Sequence, residues 1–176
     1  MKTNIFSDLH ISIADIGDTA IITQLLNSAY RGESSRQGWT TEADLIGGQV
    51  RTIETQVQDL INQPDSVFLK YTTSEIVGCV NLQQHNDKIY LGMLSVNPNI
   101  QNSGIGKKLM LAAEEYAKYK GCKAIYMQVI DVREELINWY KRHGYNDTGK
   151  RIPFVEDGIS GNHLKTLQFM VLEKKL

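Results

Sequence analysis

The stretch Gln101-Asn102-Ser103-Gly104-Ile105-Gly106-Lys107 has the composition of an anion cradle. It follows an apolar run, Ile89 to Val96, and leads into Ile105, Leu109, Ala112, Ala113 and Tyr116 at helical spacing, so the order reads strand, loop, helix. The first backbone N–H groups of a helix have no intrahelical partner, and the aligned peptide dipoles add partial positive charge there. Gly104 and Gly106 let a phosphate reach that backbone with no Cβ in the way, while Lys107 and Lys108 add charge. Such a loop suits the phosphates of a nucleotide or of a coenzyme. A P-loop needs Gly, four residues, then Gly-Lys-Ser/Thr; here Gly106-Lys107 runs into Lys108, with no glycine five residues before Gly106. A dinucleotide fingerprint needs three glycines, and Asn99 to Asn102 supply none.

The elements that would hold this loop follow from periodicity. Leu9 to Ala14 alternates as a strand, and Asp18 caps an amphipathic helix carrying Ile21, Ile22, Leu25, Leu26 and Ala29. Tyr30 to Glu42 has the composition of a loop, with Trp39 its one large aromatic beyond Tyr30. Thr41 and Asp44 suggest a short helix start, broken at Gly47-Gly48, before a helix from Ile53 to Asn62. Val67 to Tyr71 and Ile76 to Leu82 form a hairpin, and Ile89 to Val96 is apolar enough to be covered on both faces. Pro98 stops that strand. The glycine-loop helix runs to about Tyr119, with Glu114 paired to Lys118 and Gly121 as cap. Ala124 to Val129 is a strand parallel to the Ile89 strand, because a helix crosses between them. Asp131 and Glu134 head a helix from Arg133 to His143, closed by Gly144, and strands at Tyr145 to Phe154 and Leu164 to Glu173 end the chain.

A length of 176 residues fits a single domain over 1–176. A net charge of -1 gives no basic character for nucleic acid. The start, Met1 to Phe6, has no apolar h-region, and no run of about 18 apolar residues occurs, so a soluble, cytoplasmic protein that does not enter a membrane is expected. Cys79 and Cys122 read as buried free thiols. His10, His85, His143 and His163 are scattered, and no metal site is expected.

The loop resembles the Gln/Arg-x-x-Gly-x-Gly/Ala segment of the N-acetyltransferase (GNAT) superfamily. A second anchor, Tyr140-Lys141-Arg142-His143-Gly144-Tyr145, is similar to that family's Tyr-x-x-x-Gly-Phe/Tyr segment. The resemblance covers most of the chain. It implies an α/β (α+β) fold: a mixed, mostly antiparallel sheet with a splayed parallel strand pair and flanking helices. It also implies acetyl-CoA as co-substrate, with Leu94, Ser95 and Val96 along the pantetheine arm and Gln101, Asn102, Ser103, Gly104, Ile105, Gly106 and Lys107 around the pyrophosphate. Many members carry an asparagine seven residues before the tyrosine; this chain has Arg133.

The implied reaction is acetyl transfer to a primary amine of a small molecule or peptide; the alternative is a non-catalytic CoA-binding regulatory or scaffold domain. A lysine-like amine has a pKa of about 10.4 and must lose a proton before it attacks. Tyr140 is the expected donor towards the departing sulfur, and Glu42 the leading carboxylate for a base. Arg31, Arg36 and Trp39 are the expected acceptor-binding residues, with Glu33 beside them, and exposed strand edges near the carboxyl terminus allow a homodimer.

Overall fold

Strands with one apolar residue for each face build the centre. In the computed structural model, which describes residues 4–176 apart from the side chains at 32 and 33, the elements in chain order are β1 (Ile11–Ile13), α1 (Thr19–Tyr30), α2 (Gly32–Ser35), β2 (Ile46–Gly47), α3 (Glu54–Asn62), β3 (Ser66–Thr72), β4 (Ile76–His85), β5 (Lys88–Val96), α4 (Ile105–Tyr119), β6 (Ala124–Ile130), α5 (Glu134–Arg142), β7 (Asn146–Pro153), β8 (Asn162–His163) and β9 (Gln168–Lys175). Met1 to Thr3 and the Glu33 side chain lie outside the described residues. Seven strands form one sheet in the order β1-β3-β4-β5-β6-β9-β7, and β2 pairs with β8 apart from it. β5 and β6 run parallel, as the helical crossover requires; the other neighbours are antiparallel.

Alternation decides which face each helix covers. Leu69 and Val80 enter the larger core with Leu109, Met110 and Ala113 of α4, while Phe68 and Cys79 point to the other face, against Ile22 and Leu26 of α1 and Val57 of α3. Gly78 allows α4 to lie close, because a Cβ there would meet Ile105 and Leu109 at 3.0 Å. At the outer edge β7 is exposed and polar from Asn146 to Arg151 and ends at Pro153, features that oppose pairing with another strand. Among the described residues no helix is long and apolar enough to cross a membrane, and no group of three or more His, Cys, Asp or Glu lies together.

Several local expectations give way to longer-range partners. No helix forms at Thr41: the Glu42 carbonyl accepts from Leu45 and Ile46, making a tight turn, and Ile46 then pairs in β2. A single helical turn, α2, interrupts the loop instead. Asp18 does not cap α1 with its side chain; that carboxylate bonds the Asp15 N–H and Lys70 Nζ. Nor does Asp131 cap α5, since it accepts from Gln168. Glu114 pairs with Lys174 of β9 rather than Lys118, because α4 lies over the sheet. Lys70, Gln168 and Lys174, and the β8 partner of Ile46, are far away in the chain, and local spacing carries no trace of them.

Both cysteines are buried free thiols. Burial alone pushes Cys79 up to about 12, so it stays a thiol at neutral pH. Native protein incubated with iodoacetamide at pH 8 should leave Cys79 unmodified by mass spectrometry, with labelling appearing once denaturant unfolds the sheet; rapid native labelling would place Cys79 outside the core.

Candidate active site

The site begins where two neighbouring strands part. β5 pairs with β6 at Lys88↔Ala124, Ile89↔Ile125 and Tyr90↔Tyr126 and, among the described residues, nowhere beyond. On its other side β5 carries a bulge. Cys79 pairs with Ser95 and Asn81 with Gly92, so two steps along β4 match three along β5, and Met93 takes φ 55° to absorb the extra residue. Beyond the bulge, Leu94, Ser95 and Val96 line a cleft that β6 no longer closes.

That cleft, about 360 Å3, is also lined by Gln101, Asn102, Ser103, Gly104, Ile105, Gly106 and Lys107, so it gathers every residue expected along the cofactor. Gly104 adopts φ 83°, a conformation that favours glycine, and a Cβ there would meet nothing within 4 Å. No side chain caps α4, and its first backbone bond runs from the Lys108 N–H to the Gly104 carbonyl at 3.1 Å. The preceding N–H groups have no intrahelical acceptor. Lys107 lines the cleft, whereas Lys108 turns away to Tyr71 and Asp8. The Gln101 side chain acts as a staple: its Nε2 donates to the Val96 carbonyl and its Oε1 accepts from the Trp39 N–H, both at 3.0 Å.

Behind the cleft a second cavity of about 270 Å3 opens on the other side of the parted strands. It is walled by Tyr90, Gly92, Gln128, Phe154 and Phe169, with Arg51 and Asp157 among its charged groups. Tyr30, Glu42, Arg133, Leu136 and Tyr140 line both cavities, so the two meet there.

The junction is ionic and buried. Both Glu42 oxygens are bound, one by Arg31 Nη1 and the other by Arg133 Nη1 at 2.9 Å. Arg31 is 2% exposed and Glu42 8%. The Arg31 Nε also donates to the Ser160 carbonyl at 2.7 Å, and burial lowers its pKa against the opposing pull of Glu42. Arg133 donates to Thr40 at 2.9 Å, and Thr40 in turn donates to Glu135. The Arg133 Nε–H is buried with no partner. Tyr30 donates to the Leu94 carbonyl at 2.9 Å, and burial, then the Glu42 charge, pushes its phenol up to about 12. Tyr140 is buried against Trp139 and Tyr145, and desolvation, then Tyr30, raises its pKa well above the ordinary tyrosine value.

The expected acceptor residues divide. Arg31 lines the second cavity but spends its guanidinium on Glu42, Ser160 and Tyr30. Trp39 lines the first cleft, beside Trp139, rather than the second. Arg36 lines neither and pairs with Asp44 at 2.7 Å. Sequence reading missed Tyr30, Arg51 and Asp157. Tyr30 stands four residues after Leu26 on the buried face of α1, a signal that was available; Arg51 and Asp157 sit in irregular segments that no periodicity marks.

The sequence pattern of the acetyltransferase (GNAT) family matches residues 21–145. Probable N-acetyltransferase 14 of Xenopus tropicalis is 33% identical over 81 residues, 45% of this chain and 39% of that protein, so the match spans well under half of the relative's length. The ribosomal-protein-alanine N-acetyltransferase of Brucella melitensis superposes with a TM-score of 0.71 over 96% of this chain and 100% of its own, at 17% identity. The PaiA N-acetyltransferase of Thermoplasma acidophilum, solved in complex with coenzyme A, gives 0.66 over 94% and 99%, at 20% identity. With a family match across the parted strands, the open helix start and Tyr140, this chain belongs to the acetyltransferase (GNAT) family.

Proposed function

We propose that the chain is an N-acetyltransferase that moves an acetyl group from acetyl-CoA to a primary amine. One observation carries the reading: two cavities meet at the parted strands, and Tyr140 lines both. A cofactor-binding scaffold has no need of the second. The residues present fit acetyl-CoA. The unpaired N–H groups at the head of α4 and the open space at Gly104 suit its pyrophosphate, and the free edge at Leu94 to Val96 suits its peptide-like arm. When bound, it supplies the acetyl thioester, whose carbon–sulfur bond breaks as the amine's carbon–nitrogen bond forms, with one proton leaving the amine and one ending on sulfur.

The chain's residues then have distinct tasks. Backbone N–H groups of β5 past the bulge, along the cleft wall, serve as donors for charge developing on the acetyl oxygen. Tyr140 donates a hydrogen bond towards the departing sulfur; with its pKa held high, it keeps its proton, and the departing thiolate takes its proton from water. Glu42 serves as the anchor of Arg31 and Arg133, not as the base, because both of its oxygens already accept from guanidinium groups. The amine's proton therefore leaves by another route.

Thiol release measured with acetyl-CoA and a panel of primary amines tests the assignment; thioester binding with no amine-dependent thiol release would make the chain a binding domain. Tyr140→Phe should lower kcat about tenfold, the scale of one hydrogen bond to a charged group. In the intact protein kcat/KM should rise with pH as the amine deprotonates and show no falling limb up to pH ~10, the ordinary tyrosine value, since Tyr140 keeps its proton beyond it. A descending limb below that pH that persists in Tyr140→Phe would assign the required proton to another group and contradict Tyr140 as the donor. Glu42→Gln leaves two buried guanidinium groups without a counter-charge, which costs about 3 kcal/mol. Its Tm should fall by about 6–12 °C in the absence of ligand. An unchanged Tm with lost activity would restore Glu42 as the base.

A further inference from the structure

The second cavity carries an excess of positive charge. Arg31, Arg51 and Arg133 line it against Glu42 and Asp157. Arg31 and Arg133 share the single Glu42 carboxylate. Asp157 spends its Oδ1 on the N–H groups of Ile159 and Ser160 and on the Ser160 hydroxyl. Arg51 is different: among the described residues no hydrogen bond or ion pair engages its guanidinium, which lies 5.5 Å from the centroid of the Tyr30 ring.

This guanidinium starts from a fixed backbone. Asn27 Oδ1 accepts from the N–H groups of Arg51 and Thr52 at 2.6 and 3.0 Å, and its Nδ2 donates to the Thr52 carbonyl at 3.1 Å. The end of α1 therefore sets the position of Arg51 and of Tyr30 together. A planar fork free of protein partners, lying over an aromatic ring at a cavity wall, matches a carboxylate. Arg133 adds a second donor without a partner, its buried Nε–H, on the wall of the same cavity. A ligand carboxylate at this wall would bring acceptor oxygens to both donors. A diamine would meet the opposite: three guanidinium groups and too few free carboxylates.

Building on the acetyl-transfer reading, we propose that the acceptor is a small amine that also carries a carboxylate, of the amino-acid class, with Arg51 as the residue that selects it. The carboxylate sits on Arg51 and the amine points to the junction at Tyr140. A cavity of about 270 Å3 suits a molecule of that size.

The test compares L-amino acids, their carboxamides and linear diamines as acceptors. Each carboxamide keeps the amine and loses only the anionic charge. The intact protein should favour acid over carboxamide in kcat/KM by about 10–100-fold, the scale of a charge-assisted pair. Arg51→Gln should collapse that ratio to about threefold or less, and Arg51→Lys, which keeps the charge but not the fork, should fall between. Equal use of acids and carboxamides, a preference for diamines, or a ratio unchanged in Arg51→Gln would overturn the proposal. Calorimetric titration of the same acids into coenzyme A-loaded protein separates the two readings. Acid binding that depends on Arg51 without thiol release would sustain the carboxylate site and defeat acetyl transfer. Thiol release without acid preference would do the reverse. Arg51 lies outside the first cleft, so stabilisation of Arg51→Gln by acetyl-CoA reports an intact fold.

Discussion

The separation of β5 from β6 beyond Tyr90 is the constraint on which everything else rests. Two parallel strands that stayed paired would close the sheet, and no ligand could reach the backbone of Leu94 to Val96. Parting them leaves backbone N–H and C=O groups unpaired in the middle of a domain, a loss that must be met by something other than a strand. On one side the bulge at Met93 and the Tyr30 hydroxyl, bonded to the Leu94 carbonyl, take up part of it. The remainder faces a cleft whose other end is the open start of α4. The same opening thus joins an unpaired strand edge to the electropositive start of a helix.

The loop between α1 and β2 closes this gap from above through polar contacts. Gln101 holds the Trp39 backbone, Thr40 joins Arg133 to Glu135, and Glu42 binds two guanidinium groups out of water. Desolvating three charges offsets much of their attraction, so the cluster contributes little net stability over an apolar plug of the same shape. Its effect is positional. Arg31 belongs to the end of α1 and Arg133 to the head of α5, and a single carboxylate between them fixes the loop against both helices. Arg133 stands seven residues before Tyr140, and its guanidinium is directed into that cluster.

Much of the architecture was legible because its signals are local. The glycine loop, the helix after it, the parallel relation of the flanking strands and the Tyr140 segment all follow from periodicity, caps and short motifs. What could not be read lies where distant segments decide. Thr41 to Asp44 looks like a helix start until Arg31 and Arg133 claim Glu42; Asp131 looks like a cap until Gln168 takes it. Arg31 and Arg36 are equally plausible surface arginines by sequence, yet one is buried under Ser160 and the other pairs with Asp44 outside both cavities. Arg51 owes its place to Asn27, a contact across 24 residues. Charges in loops carry no period, so their partners emerge only from the fold.

The central claim is that the cleft at the parted strands holds acetyl-CoA. Thermal unfolding with acetyl-CoA, coenzyme A, ATP and NAD, on the intact chain and on Gly104→Trp, tests it most directly. At about 100 times its dissociation constant a ligand stabilises by roughly 2.7 kcal/mol, about 5–10 °C for a chain of this size. The account predicts such a shift with acetyl-CoA and with coenzyme A, none with ATP or NAD, and its loss in Gly104→Trp, whose side chain would occupy the open space at the head of α4. No shift with acetyl-CoA, a larger one with ATP or NAD, or an undiminished one in Gly104→Trp would contradict it.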